Sequence, residues 1–119
     1  MIVFIYFESR NLHYYCFKVE VCHSDEFTAR CASNEVVLMT SAVYGRMRVG
    51  RCVTQSDYVG CWNDALAAFD ARCSGRQSCQ VEVRSDLWQE EEHSCVEYAH
   101  GYVEASFECF EGKRLLKIH

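Results

Sequence analysis

Phe17-Lys18-Val19-Glu20-Val21 alternates apolar and charged side chains, the period-two pattern of a strand with one buried face, and it runs straight into Cys22. Glu26 to Cys31 alternates less cleanly, and Glu35-Val36-Val37-Leu38-Met39-Thr40 is a nearly continuous apolar run of core-strand length. A Gly/Arg-rich loop follows. Trp62 to Cys73 then turns Ala-rich, with Asn63 or Asp64 placed to cap, Leu66, Phe69 and Cys73 on one helical face and Arg72 near the end, which predicts the chain's main helix. Ser74-Gly75-Arg76 reads as a turn, Gln80 to Arg84 as another alternating strand, and Tyr102 to Cys109 as the last strand. Between the last two lies a long irregular stretch, 85–101, carrying Glu90-Glu91-Glu92, His93, Cys95 and His100. Such loops are uncommon unless functional or pinned, and Cys95 is placed to pin this one.

The 119 residues contain no proline and no low-complexity linker, so the pattern describes one domain. Its core spans 17–109, preceded by a segment 1–16 and followed by a short basic tail, 110–119. The opening MIVFIYF has two readings, a signal remnant or an added strand, because it lacks a basic n-region and a small-residue cleavage site. No apolar run reaches the roughly 20 residues that a helical membrane span needs, so no membrane insertion is expected. A formal charge of −5 argues against a nucleic-acid partner, which requires a positive face.

Nine cysteines change the picture most: Cys16, Cys22, Cys31, Cys52, Cys61, Cys73, Cys79, Cys95 and Cys109. This density in a short chain indicates disulfide stapling in an oxidising compartment, hence a secreted protein or the extracellular domain of a membrane protein. The closest cysteine pairs have five residues between them, which does not suit zinc knuckles, and no metal or other cofactor is expected. An odd count leaves one thiol over. Spacing alone does not choose among the 105 pairings open to eight cysteines.

Ala42-Val43-Tyr44-Gly45-Arg46 and Ala71-Arg72-Cys73-Ser74-Gly75-Arg76-Gln77-Ser78-Cys79, set in this order of strands and helix, resemble the galactose/rhamnose-binding lectin domain of sea-urchin-egg-lectin type. Latrophilin-like receptors and plant β-galactosidases carry such domains too. The resemblance covers about Phe17 to Cys109 and implies an α/β fold: a small disulfide-stapled domain of antiparallel strands, one main helix and long structured loops. It also implies the pairs Cys22–Cys52, Cys31–Cys109, Cys61–Cys95 and Cys73–Cys79, with Cys16 left over. In that family the sugar meets an acidic residue after the first framework cysteine, the YGR tyrosine, the aspartate of a D-P-C motif and a lysine before the final strand. Here these positions carry His23, Tyr44, His93 (in His93-Ser94-Cys95) and, at or near the lysine position, Gly101. Three of the four expected ligand groups are therefore replaced, and the resemblance implies a carbohydrate-binding module with an altered pocket.

Each candidate has a plainer reading beside it. Tyr44 and Arg46 are a sugar contact and its orienting partner, or a structural turn in which Gly45 supplies backbone freedom and Arg46 bonds to carbonyls. Arg46, Arg48 and Arg51 form a patch for anionic glycans, or a solvated loop neutralised by Glu90 to Glu92. His23 and His93, with His100, make a zinc- or proton-sensitive cluster, or reflect drift after loss of sugar binding. Catalysis lacks any motif: no G-x-S-x-G, no H-E-x-x-H and no activated Cys-His context, so the chain is not expected to be an enzyme. The expected partners are glycans, galactosides or rhamnosides, or a cell-surface protein recognised by the same fold. Cys16 leaves open an oligomer bridged between chains, and such oligomers strengthen weak single-site binding through multivalency.

Overall fold

The computed structural model describes residues 2–9, 12–54, 59–84 and 100–111, with 2–15 as backbone alone. Among them the order is β1 (Ile2–Ser9), β2 (Leu12–Val21), β3 (Glu26–Arg30), β4 (Glu35–Arg46), β5 (Cys61–Asp64), α1 (Leu66–Cys73), β6 (Ser78–Glu82) and β7 (Tyr102–Glu111). Five strands form one antiparallel sheet in the order β1-β2-β7-β4-β5, and β3 pairs with β6 in a second, two-stranded sheet. The fold is mixed α/β and mainly β, with a single helix among the described residues.

Alternation along β7 sorts the two faces of the large sheet. Val103, Ala105 and Phe107 join the core, in register with Val21, Val19 and Phe17 of β2, while Glu104 and Ser106 point the other way. The small sheet and α1 cover the core face. Phe27 of β3 meets Phe69 of α1 and Phe107 of β7 edge-on, at centroid distances of 5.2 and 6.0 Å, so one ring joins all three layers. Both Phe27 and Phe69 are fully buried, each burial stabilising by about 1.5–3 kcal/mol.

Three of the expected disulfides are present: Cys22–Cys52, Cys31–Cys109 and Cys73–Cys79. Cys61 is also disulfide-bonded, but its expected partner Cys95 lies outside the described residues. Among the described residues Cys16 is the free thiol, and it is buried in β2 opposite Glu108 rather than displayed to a second chain.

Two local expectations need correction. The helix begins at Leu66, not near Trp62, because Cys61–Asp64 pairs with Val43–Arg46 as β5. Asp64 still helps start the helix, its Oδ1 accepting from the Leu66 amide at 2.9 Å. The Tyr44-Gly45-Arg46 tripeptide is not a turn either; it is the last part of β4, hydrogen-bonded between β5 and β7. Gly45 is required for space, not for backbone freedom. A Cβ there would collide with the Cys61 carbonyl oxygen and stand 2.5 Å from the Trp62 Cα.

Candidate functional site

The end of β4, the turn after β2 and the start of β7 meet at one edge of the core. Tyr44, only 3% exposed, packs into the core cluster, and its hydroxyl accepts a hydrogen bond from the Gly101 amide at 3.1 Å. Burial raises its phenol above the ordinary tyrosine value, an effect partly offset by that amide. Gly101 is buried against the same ring. A Cβ on Gly101 would lie 2.7 Å from the Gly45 oxygen and 2.8 Å from Tyr44 Cε1, so this position admits no side chain without movement.

Arg46 donates from Nη1 to the His100 carbonyl at 2.8 Å, the carbonyl-binding role that its plainer reading anticipated. His23 sits in a tight turn closed by the Asp25 amide on the Cys22 carbonyl, at 3.1 Å, and anchored by the Cys22–Cys52 bridge. The next residue, Ser24, takes a positive φ of 73°, which turns the chain back toward β6. There the Ser24 amide reaches the Val83 carbonyl at 2.9 Å. The His23 ring stacks on His100, with centroids 3.9 Å apart and planes inclined by 21°. Its Nδ1 is shielded from solvent and has no hydrogen-bond partner among the described residues. Desolvation, then the neighbouring His100, hold the imidazole below the ordinary histidine value, against an opposing pull from Glu82.

His23, Tyr44, Arg46 and Gly101 are thus brought together, with His100 as the link. His93 lies outside the described residues. The arginines 46, 48 and 51 do not converge on one anion site. Arg48 forms an ion pair with Glu104, and Arg51 approaches Glu20 at 3.7 Å while donating to the Glu20 carbonyl at 2.6 Å. Their charge is met by acids of β2 and β7; the run Glu90 to Glu92 lies outside the described residues. No group of three or more metal-ligating side chains occurs among the described residues.

The profile of the D-galactoside/L-rhamnose binding SUEL lectin domain matches residues 29–109. The chain belongs to this lectin family. It is also similar to the L-rhamnose-binding lectin ELEL-1 of Echinometra lucunter, 28% identical over 99 residues that cover 79% of this chain and 92% of that lectin. Within the lectin fold, the cysteine register and the YGR segment were readable in sequence. The grouping of His23 with His100 rested on the resemblance, and the stacking of their rings is set by the pairing of β2 with β7, which brings two residues far apart in the chain together. Glu82, Glu104 and Glu20 carried no sequence signal at all as neighbours of these groups.

Proposed function

We propose that the chain is a non-enzymatic carbohydrate-binding module of the galactose/rhamnose type, whose pocket is altered around Tyr44, Arg46, His23, Gly101 and His93. The lectin family membership supports carbohydrate recognition, and the observation that carries the altered pocket is the His23–His100 stack beside the Tyr44–Gly101 hydrogen bond. Imidazoles offer one donor and one acceptor each when neutral, where a carboxylate would accept only. A pocket lined this way favours a different hydroxyl pattern from one built on carboxylates and lysine. The disulfides suit a secreted or ectodomain setting.

A glycan array with galactose and rhamnose competition tests this reading, using Tyr44→Phe as the site variant. Tyr44→Ala is unsuitable because it removes a buried core ring. Binding that competes with either sugar and weakens in Tyr44→Phe is expected; no glycan bound by the folded, oxidised chain would reject it. That negative result would favour a second use of the same fold, in protein recognition, for which exposed Trp62, Val49 and Val59 provide apolar contact area.

A further inference from the structure

The face of the large sheet turned away from the core carries a groove of mixed polar and apolar lining, about 260 Å³, whose outward side chains include Lys18 and Glu20 of β2, Ser41 and Val43 of β4, Glu104 and Ser106 of β7, and Arg48. The register puts Glu104 and Ser106 on the opposite side of β7 from Val103 and Ala105, so this groove and the Tyr44 side chain belong to opposite faces.

A bulge in β4 builds its floor. The register shifts between Met39 and Ser41, and as a result two consecutive side chains, Thr40 and Ser41, both reach Ser106 Oγ, at 2.7 and 2.5 Å. Bulges re-aim side chains in this way and recur beside functional sites. Ser106 is the buried polar residue among those described, only 6% exposed. Three hydroxyls carry three protons and these two contacts use two of them, so the cluster does not consume its own donors completely.

The walls decide the chemistry of the occupant. Lys18 and Arg48 are matched in number by Glu20 and Glu104, and Arg48 is already paired with Glu104, so the groove has no surplus charge to hold an ion. It does offer carboxylate acceptors, cationic donors, the hydroxyls of Ser41 and Ser106, and apolar surface that includes Val43, against which a C–H face can lie. The volume is just under the ~300 Å³ at which pockets for drug-sized ligands begin, room for one small molecule and not a chain of them.

We infer that this groove is a second binding site, separate from the one at Tyr44, for a single neutral, hydroxyl-rich ligand such as a monosaccharide. A chain with two such sites on opposite sheet faces engages two sugar residues at once, which raises avidity without an oligomer.

Amide chemical-shift titration of the folded, oxidised chain tests it, with galactose and rhamnose as neutral probes and galacturonate as the charged one. Saturable shifts at Ser41, Val43 and Ser106 with a neutral sugar are expected. Removing one buried hydroxyl with Ser106→Ala should weaken the groove roughly two- to tenfold while the Gly101 response stays unchanged. Should that variant not fold, Ser41→Gln, at an exposed position, fills the groove and abolishes the same shifts. No saturable shift at these three amides with either neutral sugar, or shifts with galacturonate alone, overturns the proposal. Silence confined to Gly101 counts against the Tyr44 site and leaves the groove standing.

Discussion

Gly101 stands at or near the position where the lectin resemblance anticipates a lysine, and its surroundings leave no room for one. The methyl group that Gly101→Ala adds would meet the Gly45 oxygen at 2.7 Å, the Gly45 carbonyl carbon at 2.9 Å and Tyr44 Cε1 at 2.8 Å. Two of these three are backbone atoms of a central strand, so the cost resembles overpacking a core, about 1–3 kcal/mol. Moving β7 away from β4 also lengthens the Gly101–Tyr44 hydrogen bond, worth about 1 kcal/mol. Against these stands a gain of about 0.4–1 kcal/mol from the lower entropy of the unfolded chain, since Gly101 does not have a positive φ that alanine would resist. The net expectation is a loss of about 1–3 kcal/mol. Urea unfolding of the oxidised chain, monitored by tryptophan fluorescence, should show a lower midpoint at unchanged slope. A Gly101→Ala protein within about 0.5 kcal/mol of the parent would refute the steric argument, because that is the range of inert surface changes. The companion variants sharpen it: His100 is exposed and should accept lysine, whereas Gly101→Lys should fold poorly if at all.

Other outcomes follow from the same structure. Gly45→Ala should be at least as damaging as Gly101→Ala, because its Cβ would run into a backbone oxygen of β5; thermal unfolding of the two variants side by side checks the order. Tyr44→Phe should cost about 0.5–1.5 kcal/mol, the value of one hydrogen bond, and Tyr44→Ala about 3–5, the value of an emptied aromatic site, both read from denaturant midpoints. The folded His23 binds its proton less readily than the unfolded chain does. Its contribution is therefore intact above about pH 6.5 and is lost as pH falls from there through the depressed folded value; His23→Gln should flatten that part of the stability-against-pH curve. Replacing Cys31 and Cys109 together by alanine opens a closed loop of 78 residues and should cost about 4–5 kcal/mol on the chain-entropy model, far more than opening the six-residue Cys73–Cys79 loop, at about 2.

What the sequence determined on its own was chiefly local or registral. Period-two alternation located the end of β2 and most of β6 because a half-buried strand must alternate, a continuous apolar run located the core of β4, and the spacing of cysteines together with the YGR segment carried the lectin resemblance and three disulfides present in the structure. Tertiary structure decided what depends on which strands lie side by side. Gly45 looked like a turn residue, yet its reason is the backbone of β5 passing within contact distance, a neighbour named nowhere in the local sequence. Likewise, His23 and His100 became a stacked pair, and Thr40, Ser41 and Ser106 a hydroxyl cluster, only through pairing across β2, β7 and β4 and through one bulge. Alternation tells which face a residue takes, but a bulge changes that face for every residue beyond it, and a close approach between strands is set by the partner, so both features are written in the pairing and not in the pattern.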